Sequence, residues 1–140
     1  MNLRPVTWRG PALSTSSASA ARCYRSGIVA LVAGAAHAQD LLTEATTIDP
    51  RFHLAHVGLA VALAVAQRAF AIPAAPDGIT RGERQHTEIV TTAFDGQDRR
   101  AADLRREHLV EYPGDLLIVW LAAIPSIRCT TPRPVGGHQP

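Results

Sequence analysis

Residues 51–69, RFHLAHVGLAVALAVAQRA, are apolar almost all the way round when wound as a helix. The narrow stripe that is small or polar consists of His53, His56, Ala60, Ala64 and Gln67. A helix without a broad polar face has to be covered on most sides, so it reads as central and buried, with the rest of the chain packed around it. It does not read as a membrane span. A span needs about 20 apolar residues, whereas the run over 54–66 contains His56 and ends in Gln67-Arg68.

Composition says what covers such a helix. Hydrophobic residues are 46% of the 140 but aromatics only 5%, and Ala carries much of the difference. Ala is the best helix former and a poor strand former, so an Ala-rich, aromatic-poor core implies closely packed helices in one domain. All 14 basic residues are Arg, which reads as the codon bias of a GC-rich genome. Twelve acids leave a formal charge of +2. That gives no electrostatic case for a nucleic-acid partner. Cys23 and Cys129 have no CxxC or Cys/His spacing around them and read as free thiols.

The punctuation divides the chain into an irregular lead-in over 1–17, a helical region over 18–121 and a Pro/Gly-rich tail over 122–140 that is expected to be disordered. Ser16 or Ser17 caps a first helix over 18–33. Tyr24, Ile28 and Leu31 share one of its faces, and Cys23, Gly27, Ala30 and Gly34 make a small-residue face suited to close helix approach. After a Gly34-Ala35-Ala36 turn, a second helix over 37–47 turns Ala38, Leu41, Leu42 and Ala45 inward. Asp49 is expected to cap the next helix, with Pro50 at its first position. A loop over 70–79 leads to Thr80-Arg81-Gly82-Glu83, a capping box. The helix behind it aligns His86, Ile89, Val90, Ala93 and Phe94, and Gly96 stops it. Asp98 is expected to cap a helix over 99–111 with Ala101, Leu104, His108, Leu109 and Tyr112 inward. Pro113-Gly114-Asp115 then breaks the chain before a last apolar element, LLIVWL.

Residues 27–40, GIVALVAGAAHAQD, carry a second message. An apolar run behind Arg22 and Arg25 ends in Ala36-His37-Ala38, an A-x-A pattern like that of a secretory signal peptide. Yet 21 residues precede Arg22, and cleavage after Ala38 would delete the first helix. The helical hairpin, and with it a cytoplasmic location, is the preferred reading; a secreted protein is the alternative.

Pro50 and Pro113 lie 63 residues apart, close to two tetratricopeptide repeats, with Ala38, Ala45 and Ala101 at small-residue positions. "EATTIDPRFHLAHVGLAVAL", "RGERQH" and "FDGQDRRAADLRREHLVEYPGDLLIV" together resemble the tetratricopeptide repeat protein 38 family. Asp49, Pro50, Phe52, Ala55 and His56 match its first stretch. Glu83, Arg84 and His86 match the second, with Gly82 intruding after Arg81. Gly96 and Ala101 match the third, and Pro113, Asp115 and Leu117 the fourth. The resemblance covers about residues 14–121 and implies an all-α fold of antiparallel helix pairs, an α-solenoid fragment of five to six helices. It brings no reaction with it. Because the family's chains are much longer, a truncated member is expected. Its uncapped end, Leu116–Leu121, would then lie open for self-association.

Three chemistries compete for the polar residues. Glu83 and His86 share a helical side and would suit an acid/base pair. His53, His56, His86 and His108 would suit a metal, but no HExxH or Cys partner supports one. Arg99, Arg100, Arg105 and Arg106 alternate with Asp98, Asp103, Glu107 and Glu111, which is a solvated, salt-bridged face rather than a nucleic-acid contact. The expectation is a non-enzymatic module that binds another protein or peptide, with no cofactor and no metal. Glu83, Arg84, His86, His53 and His56 form its candidate functional or packing cluster. A hydrolase-like or metal-binding protein using Glu83 and His86 is the runner-up.

Overall fold

The computed structural model describes residues 10–124. The fold is all-α: six helices and no strand among the described residues. They are α1 (Ala18–Val32), α2 (Ala38–Ile48), α3 (His53–Val65), α4 (Arg81–Phe94), α5 (Asp98–Glu111) and α6 (Leu116–Leu121). The tail expected to be disordered lies outside the described residues from 125 onward, as does Cys129.

Two helix pairs carry the architecture. In the first, Gly27 faces Leu42 while Cys23 Sγ donates to Glu44 Oε2 at 3.1 Å, so α1 and α2 run antiparallel. In the second, Glu88 meets Arg100, Gln85 meets His108 and Glu111 meets Arg81, so α4 and α5 are antiparallel too. The apolar α3 lies against α2, α1 and α4. It is buried on most sides, with Leu54, Ala55, Val57 and Val61 fully enclosed. A short α6 then returns to pack on α1 and α4, so the first and last helices touch.

Ser17 caps α1 by accepting from Ala20 N at 3.0 Å, and Tyr24, Ile28 and Leu31 are buried as their spacing predicts. A Cβ on Gly27 would fall 2.7 Å from Leu42 Cγ, and one on Gly58 would fall 3.2 Å from Leu42 Cδ2. Leu42 is therefore wedged between two glycines of two helices, and the missing side chains are what lets α1, α2 and α3 approach.

Three boundaries differ from the sequence expectation. Asp49 and Pro50 do not start α3. Asp49 closes α2, and its carboxylate takes the Thr15 hydroxyl and the Arg51 N–H. The start of α3 is delayed to His53 because Phe52 is pulled inward against Tyr24, ring centroids 5.2 Å apart. At its other end α3 stops at Val65 rather than near 69, since Gln67 turns left-handed (φ 59°) and Arg68 N returns to Leu63 O at 2.8 Å. Gln67 thus leaves the helix, and Ala60 and Ala64 bury against Phe70 in a second small core beside Phe94. Gln97, not Asp98, occupies the N-cap position of α5.

The end of the helical region also differs. Leu117, Ile118 and Leu121, expected to be open, are buried against α1 and α4, leaving Val119 45% exposed. These side chains close the helical core instead of standing open at its end.

Adding volume at the wedge should be costly. Gly27→Val is expected to destabilise the fold by about 1–3 kcal/mol, because Leu42 has no room to retreat toward Gly58. Urea unfolding of Gly27→Val, Leu42→Ala and the double variant would check it, the double costing less than the sum of the singles.

Candidate functional site

Helix α4 presents its polar residues inward because elements on three sides offer them partners. Thr80 and Glu83 form the anticipated capping box: Glu83 N donates to Thr80 Oγ1 at 3.1 Å, and Thr80 N donates to Glu83 Oε1 at 2.8 Å. The lead-in adds what the spacing alone does not show. Ser14 gives both its N–H and its hydroxyl to Glu83 Oε2, at 3.0 and 3.1 Å, and Thr80 Oγ1 donates to Ala12 O at 2.8 Å. Glu83 is completely buried by this strap. Gly82 makes the crossing fit, since a Cβ there would sit 2.5 Å from Pro11 and 2.9 Å from Tyr112. The glycine that interrupts the family-like stretch therefore has a local cause.

His53 lies across from α4, 3.0 Å from Thr87 Oγ1 through Nε2. The Thr87 hydroxyl spends its hydrogen on Glu83 O at 2.9 Å, so it accepts from His53, whose Nε2 carries the proton. Burial lowers the His53 pKa, opposed by the charge of Glu83 and reinforced by His56, His86 and Arg84.

His86 does not pair with Glu83. Its Nδ1 is 2.8 Å from Asp115 Oδ2, and the same oxygen is 2.7 Å from His108 Nε2. His108 Nδ1 in turn faces Gln85 Oε1 at 2.8 Å. The side chains of His86, His108 and Asp115 are 0–1% exposed. Burial pushes the Asp115 pKa up, but the charge of His86 and the hydrogen bonds from both histidines outweigh it and hold the carboxyl well below its usual range.

The expected cluster of Glu83, Arg84, His86, His53 and His56 is thus partly assembled and partly dispersed. Arg84 points outward and is exposed. His56 is half-buried and donates through Nε2 to Pro50 O at 2.7 Å, away from the α4 residues. With His53, Ser14, Arg51 and Asp77 it lines a groove of about 570 Å³ between the start of α3 and the 66–80 loop. Asp115, Gln85 and His108 were missing from the expected cluster. Asp115 is the family-like Asp of the last stretch, which was the available signal.

The chain matches no family model, no curated protein and no solved structure.

Two consequences can be measured. Thr80→Ala should cost about 1 kcal/mol in urea unfolding through loss of the cap. The pH effect of His53 has a definite sign. Its folded pKa lies below the unfolded 6.5, so the stability it contributes is present above pH 6.5 and is lost as pH falls through the folded value. Wild type should therefore weaken between pH 7.5 and 5.5, and His53→Gln should weaken less.

Proposed function

We propose that the chain is a non-enzymatic helical module that binds a peptide segment of another protein. The observation that carries this is the division between interior and groove. The residues suited to acid/base work, Glu83 and His86, are fully enclosed and committed to Ser14, Thr80 and Asp115. A substrate has no approach to them without unfolding the strap or α6. The groove, by contrast, opens to solvent and mixes apolar walls, Pro50 and Ile79, with the charges of Arg51 and Asp77. Apolar walls with a few placed polar groups are what peptide recognition uses.

The tetratricopeptide-like architecture is part of the same proposal. Two antiparallel pairs with small residues at their contacts support it, as does the bond between His86 and Asp115, which belong to two of the family-like stretches. The contact between first and last helices sets limits on it. A solenoid repeat touches only its neighbours, whereas α6 reaches back to α1. The molecule is therefore read as a short helical array closed on itself, with binding at a groove rather than along an extended concave face. No helix of the described residues is long and apolar enough to cross a membrane. A cytoplasmic location fits this proposal, because cleavage after Ala38 would remove α1 and with it Tyr24, Ile28 and Leu31 from the core.

Selection of a random peptide library on the folded chain tests the proposal. Enriched peptides should bind wild type and lose about ten-fold in affinity or more in an Arg51→Ala/Asp77→Ala variant, a loss of about 1.4 kcal/mol. Turnover of ester or peptide substrates that disappears in a folded His86→Gln variant would overturn it.

A further inference from the structure

The His86–His108–Asp115 cluster carries more than packing requires. One donor atom from each residue lies within 4.8 Å of the others, and all three residues are buried. They come from three separate elements: α4, α5 and the residue just before α6. Two buried atoms in the cluster, His86 Nε2 and Asp115 Oδ1, have no hydrogen-bond partner. A buried carboxylate oxygen without a donor is costly.

Proton counting sharpens the point. His108 faces an acceptor on each side, Asp115 Oδ2 and Gln85 Oε1. A neutral imidazole carries one hydrogen and can serve only one of the two. His86 then puts its hydrogen on Asp115 Oδ2 as well. One oxygen of the carboxylate takes two hydrogen bonds while the other takes none.

We propose that His86 Nδ1, His108 Nε2 and the Asp115 carboxylate form a closed structural site for a divalent transition-metal ion, zinc being the best fit. Two imidazole lone pairs and the Asp115 carboxylate supply three ligands of the N/O kind zinc takes, and four donor atoms when the carboxylate binds through both oxygens. Oδ1 then has a partner. The His108 hydrogen then sits on Nδ1 and is donated to Gln85 Oε1, the outer hydrogen bond that fixes the tautomer of a metal-bound histidine, and the His86 hydrogen passes from Nδ1 to Nε2. Calcium and magnesium are disfavoured, since they require mostly oxygen ligands. Donor atoms now 2.7–2.8 Å apart must open by about 0.5 Å to surround an ion at 2.0–2.1 Å. Asp115, at the head of a six-residue helix, is the member free to give way. The role is structural because no open coordination position faces solvent. The ion would tie α6 to the α4–α5 pair.

The experiment is zinc addition to the full chain after chelator treatment, read by metal content after desalting and by thermal melting in circular dichroism. One zinc per chain and a rise in Tm of about 5 °C or more are expected. His86→Gln, His108→Gln and Asp115→Asn should each abolish stoichiometric binding. Because losing a buried partner can also unfold the chain, Gln85→Ala provides a milder check: about 10–100-fold weaker zinc binding with helicity unchanged. Cobalt substitution should give the intense visible absorption of a four-coordinate ion. Three results would overturn the proposal. One is no retained metal and an unchanged Tm. Another is equal zinc binding by the three ligand variants, which would place the ion on other histidines. The third is an imidazole nitrogen spectrum showing His108 protonated at both nitrogens in the presence of zinc, the signature of a metal-free ion pair.

Discussion

One carboxylate oxygen, Asp115 Oδ2, holds the second half of this molecule together. It receives His86 from α4 and His108 from α5 while standing at the start of α6. An isolated helix of six residues is far below the length at which helix formation is favourable in water. What makes α6 persist is the Asp115 anchor at one end and the burial of Leu117, Ile118 and Leu121 along its length. Those side chains in turn complete the cover over α1 and α4. Loss of the anchor would therefore be felt in the core far from the histidines.

A buried polar cluster is not by itself a source of net stability, because taking its groups out of water costs about as much as their mutual attraction returns. Its contribution here is specificity. Leucine and valine faces of helical pairs tolerate several registers, but Asp115 has two partners in one arrangement of α4, α5 and α6 only. The Glu83 clamp acts the same way one turn earlier on α4, where Ser14 and Thr80 leave one position for the lead-in. Polar bonds decide the geometry, and apolar burial supplies most of the free energy that stabilises it.

The helices were legible in the sequence because their punctuation is local. Ser17, the Thr80–Glu83 box and Gly96 each act within one turn, and each behaves as its residue type dictates. Long-range partners were harder to see. Asp49 reads as a cap for the next helix until Thr15, 34 residues earlier, is known to hold it. Phe52 enters the core because Tyr24 is there, which no local window contains. The site shows the same limit. Glu83 and His86 lie three residues apart and invited pairing, yet Ser14 and Asp115, 69 and 29 residues away, claim them separately. His108 was visible as an inward residue, and Asp115 as a family-like one. What connects them is the turn at Pro113-Gly114, whose path depends on the packing of α6.

The same division explains why groove and interior suit different tasks. Ser14 and His53 belong to both: they line the groove and are bonded inward to Glu83 and Thr87. A wall whose side chains are already fixed loses little conformational entropy when a ligand settles on it. Here the most strongly perturbed carboxyl, Asp115, is sealed, and the groove carries the exposed Arg51 and Asp77. The interior is arranged to hold shape, and the surface it supports keeps its charged side chains in reach of solvent.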